Sequence, residues 1–474
     1  MPIVFDFYNK FQFFFFDQYF ETKSSFLTFN KNRSFFLLIF FLFVYITLLN
    51  SFFFVFFADF SLANYNFFSF DFNFLGIFLC LLTAYLYFIL FYYYSKLVIS
   101  PTSFCFFIIA SEFALFMCFL TRDFFIFYIF FEFILIPFYF IVGFWGSRLN
   151  RLGAAFRLVF FTVFFSLPLI VVVFANLADN IFSFNFDMLF FTLSTLDPVF
   201  QSLFFFASFL AFAVKIPLFP MHTWLPEAHG EAPTFGSVLL AGVLLKLGGY
   251  GFYRIFFAND TFWSILPALN TFSLIYVISV VTILYSNIIV FAQVDIKKTI
   301  AYYSIGHMGF VTLGLACSST AGYLGAAIIM IAHGLSAAGL FFSVGYIYEQ
   351  SHTRSILAYR GLSTSLPYFA TFFFIFFCAN ASLPGTLNFI GEQFVLFSLT
   401  SFHPFAAVLP ILGVFMNGLS SFLFMLRILF GETNANCVGG MRDTKRSTIT
   451  IFCLFAIPLV LLGFIPSILV NFFN

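Results

Sequence analysis

The sequence predicts an all-α polytopic membrane protein with about 13 transmembrane helices, including two inverted five-helix repeats that each contain a broken helix. Apolar types make up 62% of the 474 residues and charged types only 8%, against about 45–50% and about 25% in soluble domains. So little polar surface cannot coat a soluble core. The net charge of +1 provides no basic excess for binding nucleic acid. The composition therefore excludes soluble enzymes, nucleic-acid binders and disordered proteins.

Thirteen apolar runs are long enough to cross a bilayer as helices, which takes about 20 residues each. The runs are continuous rather than alternating, so a β-barrel is not expected. They cover residues 35–57, 74–95, 104–120, 124–146, 153–175, 203–225, 235–256, 264–290, 299–316, 322–347, 367–398, 404–430 and 448–472.

The loop cations indicate how the chain is oriented. With thirteen spans, fourteen Lys and Arg residues fall on one side, and only Arg122 and Arg254 fall on the other. Cationic loops stay on the side of synthesis, so the N-terminus is expected to face the cytoplasm or the mitochondrial matrix. Residues 1–34 carry seven charged residues and are predicted to lie outside the membrane.

Several ionisable residues fall inside the apolar runs. A charge at the centre of a bilayer costs at least about 2.5–3.5 kcal/mol, so these residues are expected to line a polar or hydrated path within the bundle. Any one of the charges alone is also compatible with a structural ion pair between helices, and either histidine alone with a hydrogen-bonded core residue. The residues are Glu112, Glu132, Lys215, Lys246, Glu392, His307 and His333.

Prolines interrupt two of the runs beside these charges. Pro217 and Pro220 follow Lys215, and Pro384-Gly385 precedes Glu392. A proline removes a backbone donor and so releases a helical carbonyl. Broken helices at matching places in two halves mark the ion or substrate site of transporters built from repeats.

The spans divide into two sets of five helices, and the odd number per set makes the second copy inverted in the membrane. Glu132 then corresponds to His307, and Lys215 to Glu392. The predicted organisation is an N-terminal extramembrane segment, two peripheral helices, the first repeat, the second repeat, and a loop with a C-terminal helix, at residues 1–34, 35–95, 104–256, 264–430 and 431–474.

These residues suit proton transfer. Burial disfavours the ionised forms of Lys and Glu, and a nearby opposite charge restores them. A buried lysine therefore takes up and releases a proton as its carboxylate neighbour approaches and recedes. Glu132 and Lys215 are the predicted pair, with Lys246, His333, His307 and Glu392 carrying the proton onward.

No cofactor site is predicted. The seven cysteines never form a C-x-x-C pair, and the run from Gly248 to Gly251 lacks G-x-G-x-x-G spacing. The cysteines are therefore interpreted as small apolar side chains, and the glycines as a helix-packing surface or a helix end.

Several motifs resemble the antiporter-like subunits of respiratory complex I (NADH–ubiquinone oxidoreductase), and among these the chain 4 family. The resemblance spans about residues 105–430. The motifs that carry it are Phe127-Tyr-Ile-Phe-Phe-Glu132, Val214-Lys215 through Pro233, Leu244-Leu-Lys246-Leu-Gly-Gly-Tyr-Gly251, Asp295-Ile-Lys297 through His307-Met, Ile331-Ala-His333-Gly-Leu-Ser336, and Ala381 through Glu392.

The resemblance implies a proton-translocating, multi-pass subunit of the mitochondrial inner membrane, with its N-terminus in the matrix. It implies partners among the other membrane-arm subunits, including the sister antiporter-like chains, as well as lipids, and no nucleic acid. NADH, FMN, iron–sulfur clusters and ubiquinone belong to the complex as a whole, and none to this chain. By motif match, Glu132, Lys215, Lys246, His307, His333 and Glu392 are proton-path residues, with Glu112 a less strict match.

The chain departs from the family in one respect. The family has fourteen helices, so this chain is predicted to lack the first one. A cation/proton antiporter and a purely structural membrane-arm subunit are the alternative functions.

Overall fold

The computed structural model describes residues 73–94, 102–177, 186, 197–257, 271–317, 319–433 and 440–473. Within these ranges the regular structure is helical, and β contacts are limited to isolated bridges such as the one between Asp295 and Ser355. Ten helices in the same ranges are long and apolar enough to cross a membrane. The prediction of an all-α polytopic membrane protein is confirmed.

The helices before residue 260 include two π-helical turns, Leu240–Leu244 and Tyr253–Phe257. The α-helices are α1 (Phe74–Tyr94), α2 (Thr102–Leu120), α3 (Phe124–Phe133), α4 (Leu135–Trp145), α5 (Arg151–Leu177), α6 (Pro198–Lys215), α7 (Trp224–Glu231), α8 (Thr234–Leu239) and α9 (Leu245–Phe252).

The helices after residue 270 include two short 3-10 turns, Ile356–Ala358 and Pro404–Ala407. The α-helices are α10 (Thr271–Val290), α11 (Ile296–Ala316), α12 (Thr320–Ser351), α13 (Leu362–Ser365), α14 (Pro367–Asn380), α15 (Leu387–Phe402), α16 (Val408–Leu429), α17 (Arg446–Phe464) and α18 (Ser467–Phe473).

Twelve of the thirteen predicted spans coincide with these helices. The thirteenth, 35–57, lies outside the described residues, as do the predicted extramembrane segment 1–34 and the proposed loss of the family's first helix. Both predicted interruptions are present, between α6 and α7 and between α14 and α15. The inverted relation of the two repeats stays a prediction.

The first interruption follows from the prolines. Pro217 has no N–H for the Ala213 carbonyl, and the N–H of Leu218 bonds that carbonyl instead, at 2.8 Å. The Val214 carbonyl then accepts the indole N–H of Trp224 at 2.9 Å. Both of these released acceptors thus find a donor, as buried backbone groups must, and α6 ends at Lys215.

Helix α12 lies at the centre of the bundle. It is 32 residues long, and the apolar stretch within it that could span a membrane is entirely buried inside the protein. It packs against α11, α14, α15 and α17. His333 lies near the middle of this helix, so the core itself carries an ionisable side chain.

Candidate functional site

Four of the predicted residues form a buried row across the core. Lys246 Nζ lies 2.8 Å from His333 Nδ1. The rings of His333 and His307 are 5.6 Å apart between centroids, and His307 Nδ1 lies 3.0 Å from Glu392 Oε1. All four side chains are at most 2% exposed. Their heads therefore face one another rather than lipid.

A π-helical turn places Lys246 in this row. The turn Leu240–Leu244 ends just before α9, and the ammonium of Lys246 donates to the Ala241 carbonyl inside the turn. A π turn adds a residue to the helical repeat and rotates the residues after it, which is why such turns are frequent at functional sites.

His307 reaches Glu392 across the second interruption. It lies on α11, and its Nε2 is 3.1 Å from the backbone carbonyl of Asn380. Asn380 is the last residue of α14, and Glu392 follows on α15. The broken helix therefore contributes both a carboxylate and a backbone acceptor to one histidine.

Lys215 lies at the first interruption, fully buried at the end of α6. Its ammonium donates to the Phe131 carbonyl and lies over the Phe131 ring. Glu132 is the next residue after Phe131 in the chain and is within electrostatic range of Lys215. Its carboxylate oxygens accept no hydrogen bond from the described residues. The predicted pair are thus neighbours without a direct hydrogen bond.

Glu112 stands apart from the row. It lies on α2 and is fully buried, and neither carboxylate oxygen has a hydrogen-bond partner among the described residues. Its electrostatic neighbour is Tyr87, whose hydroxyl bonds Ser111 at 2.7 Å. The structure does not join it to the other six residues.

Sequence reasoning gave His229 no role. It lies on α7, is completely buried, and stacks on Phe341 with 4.5 Å between ring centroids. It is within electrostatic range of both Lys246 and Lys297. Its place in the motif from Lys215 to Pro233 was the available signal, but nothing in the spacing indicates that it comes within electrostatic range of Lys246.

A charged cluster lies at one end of the bundle, near the start of α11. Lys297 Nζ donates to the Ala232 carbonyl at 2.8 Å, and Arg148 pairs with Asp295 at 3.2 Å. Arg354 is 2% exposed. Its burial lowers the pKa of the guanidinium, an effect that the carboxylate of Asp295 opposes. The cluster joins loops from both predicted repeats.

The row differs from a metal centre in its arrangement. Among the described residues, no group of three or more His, Cys, Asp or Glu side chains is placed to hold a metal ion. The row can instead hold and exchange protons, since the side chains of lysine, histidine and glutamate each bind and release one.

A polytopic bundle with two broken helices beside a buried row of ionisable groups defines an antiporter-like membrane protein. The profile of a family described as "NADH:quinone oxidoreductase/Mrp antiporter, TM" matches residues 121–420. The chain belongs to this family, and several of its named relatives are subunits of NADH-quinone oxidoreductase.

One relative is the NADH-ubiquinone oxidoreductase chain 4 of Chondrus crispus, which is 39% identical over 370 residues, covering 77% of this chain and 73% of that protein. The NADH-quinone oxidoreductase subunit M of Rickettsia conorii is 38% identical over 355 residues, covering 74% of this chain and 70% of that protein.

Solved structures share the fold. A chain of respiratory complex I from Thermus thermophilus matches with a TM-score of 0.77 and 28% identity, covering 85% of this chain and 84% of that chain. A chain of the Mrp complex from Dietzia matches with a TM-score of 0.77, covering 93% of this chain and 91% of that chain. The Mrp match is 17% identical and shows the fold alone.

Proposed function

We propose that this chain translocates protons across a membrane as a membrane-arm subunit of an NADH:ubiquinone oxidoreductase. Electron transfer from NADH to ubiquinone takes place in other subunits, and this chain contributes the proton path. The redox cofactors lie in those other subunits. The site in this chain is Glu132, Lys215, Lys246, His333, His307 and Glu392, with Glu112 as an accessory carboxylate.

The observation that carries the proposal is the row from Lys246 through His333 and His307 to Glu392. Its two hydrogen-bonded contacts, at 2.8 and 3.0 Å, already place proton donors and acceptors within transfer distance. No rearrangement of the helices is needed for these two steps. Proton transfer needs heavy-atom separations of about 2.6–3.2 Å, or one bridging water. The step from His333 to the His307–Glu392 pair therefore needs a bridging water, since the two rings are 5.6 Å apart between centroids.

The two interruptions supply the ends of the path. Lys215 holds its charge against an aromatic ring and a carbonyl, and neither of these takes a proton. Movement of Glu132 toward or away from Lys215 therefore decides whether the lysine keeps its proton. A proton released there passes to Lys246 and along the row to Glu392.

The mitochondrial inner membrane is the proposed location, with the N-terminus on the matrix side. The proposed partners are the other membrane-arm subunits of the complex, including sister antiporter-like chains. The motif resemblance and the named relatives from Chondrus and Rickettsia support this assignment.

The test compares Lys215→Met and Glu132→Gln with Lys298→Met in the assembled complex. Lys298 is a half-buried lysine beside Gly230, outside the row. Protons translocated per electron and the rate of NADH oxidation are measured in sealed vesicles. We expect both site variants to lower the proton-to-electron ratio, and Lys298→Met to leave it at the wild-type value.

Normal stoichiometry and normal NADH oxidation in both site variants would refute the proposal and favour a structural subunit. Sodium-dependent transport by the chain without electron transfer would favour the cation/proton antiporter instead.

A further inference from the structure

The end of α14 leaves one carbonyl for side chains to satisfy. The last four carbonyls of a helix lack the usual N–H partners. The N–H groups of Ala381 and Leu383 bond the carbonyls of Phe377 and Cys378. The Asn380 carbonyl would be paired with residue 384, but Pro384 has no N–H.

Two side chains hydrogen-bond to the released Asn380 carbonyl. The amide of Asn417, on α16, donates to it at 2.8 Å. His307 Nε2 lies 3.1 Å from the same oxygen and 3.3 Å from the Asn380 side-chain oxygen. All of these groups are at most 5% exposed, so water does not compete freely for the carbonyl.

This contact fixes which nitrogen of His307 carries a permanent proton. A backbone carbonyl only accepts hydrogen bonds. Nε2 must therefore be the N–H, and the hydrogen bond made by one ring nitrogen sets the state of the other. The proton that varies is on Nδ1, which faces Glu392 Oε1 at 3.0 Å.

We infer that His307 stores a proton jointly with Glu392 and does not pass one from ring nitrogen to ring nitrogen. The inference rests on the proposed function and deepens it. A two-sided relay would have to break the Nε2–H bond, and the Asn380 carbonyl is no proton acceptor. Asn417 is a positioning residue, because it holds that carbonyl in place.

The proton balance is simple. One proton moves between Glu392 Oε1 and His307 Nδ1, so that an O–H bond breaks as an N–H bond forms, and Nε2–H stays intact. Exchange with the rest of the row goes through Glu392 Oε2, which is buried and has no hydrogen-bond partner among the described residues. A half-turn of the carboxyl group brings the proton from Oε1 to that side.

The first test separates storage from relay by comparing His307→Gln with Glu392→Gln in the assembled complex. Glutamine keeps an N–H donor but cannot titrate. We expect His307→Gln to slow NADH oxidation and to lower the proton-to-electron ratio less than Glu392→Gln does, because the carboxyl group of Glu392 still carries the proton. Glu392→Gln lowers the ratio itself.

The outcomes of this test are distinct. A ratio in His307→Gln as low as in Glu392→Gln overturns the inference and restores the two-sided relay. A normal ratio and rate in Glu392→Gln means that the proposed function has failed.

The second test observes the ring directly. Infrared difference spectra of the complex containing ¹⁵N-histidine isolate His307 when the His307→Gln spectrum is subtracted. We expect the Nε2–H form in the wild type and a mixture in Asn417→Leu. The matched control is Asn287→Leu, because Asn287 is an equally buried amide that donates to the Gly413 carbonyl at 3.0 Å.

A neutral His307 ring that carries its proton on Nδ1 and none on Nε2 in the wild type would contradict the inference. An equal spectral shift in Asn287→Leu and Asn417→Leu would also contradict it, because the change would then reflect general loosening of the core.

Discussion

The two broken helices share a design but differ in how they hold their charge. At the first, Lys215 contacts the carbonyl and ring of Phe131, and the carboxylate oxygens of Glu132 accept no hydrogen bond from the described residues. At the second, Glu392 bonds His307, which bonds the Asn380 carbonyl in turn. The Lys215 ammonium therefore contacts no group that could take its proton, whereas Glu392 shares a proton with His307.

This difference suits the two broken helices to different steps of proton translocation. A lysine without a proton acceptor in contact responds strongly to a carboxylate that moves, because low-dielectric surroundings strengthen electrostatic effects. A hydrogen-bonded Glu–His pair resists such change, because both partners stabilise one shared proton. The first interruption is suited to switching, and the second to holding.

The largest expected effect comes from removing the link between the ends. Lys246→Met takes away the donor to His333, so protons no longer pass between the interruptions. We expect proton translocation through this chain to fall at least about a hundredfold, as for loss of a positioned acid–base group. The measurement is the proton-to-electron ratio in vesicles.

The matched comparison for Lys246→Met is the same substitution combined with Lys215→Met. Residues that act in one path give losses that do not add, so the double variant should equal either single one. A further drop in the double variant would show that the two ends translocate protons independently.

A middle-sized effect is expected from a glycine in close contact at each broken helix. A Cβ at Gly248 would lie 2.8 Å from the Ile216 backbone nitrogen, just beyond Lys215, and one at Gly391 would lie 3.0 Å from the Ile329 nitrogen. We expect Gly248→Ala and Gly391→Ala each to destabilise the chain by about 1–3 kcal/mol through overpacking. Thermal denaturation of the purified complex measures this.

Gly418→Ala is the control, since no atom lies within 4 Å of its added Cβ. It should be neutral or slightly stabilising on a helix. Equal losses in all three variants would mean that the close approach at the interruptions has no special importance.

The smallest effect is expected on the outer surface. Phe156, Phe160 and Phe164 stack along α5 with centroids 5.8 and 5.9 Å apart, and Phe160 is 52% exposed. Lipid requires only apolar bulk there, so Phe160→Leu should change stability by no more than about 0.5 kcal/mol. A clear loss of assembled complex on blue native gels would instead identify this face as a subunit contact.

The fold followed from the sequence because each span is a continuous apolar run, and in lipid such a run has to satisfy its backbone as a helix. Pro217 and Pro384 placed the interruptions for the same reason, since each removes one donor. The phenylalanine distribution also indicated the site. Of the 92 Phe residues, only two lie in 215–250 and one in 295–340.

The site was only partly predictable. The row residues, from Lys246 to Glu392, could be recognised in the sequence as ionisable side chains within apolar runs. Their partners were not, because the contact between His307 and Asn380 joins residues 73 positions apart. The π turn before Lys246 was also missed, since its extra residue arises from packing and leaves no periodic signal.

The length of α12 has an electrical consequence. At about 1.5 Å per residue, His333 lies roughly 20 Å from the start of this 32-residue helix and roughly 27 Å from its end. A proton on His333 has therefore crossed close to half of any transmembrane voltage. An elementary charge gains or loses about 2.3 kcal/mol per 100 mV over the full membrane. The free energy of protonating His333 therefore changes by about half of that. The protonation of His333 is therefore expected to depend on the membrane potential.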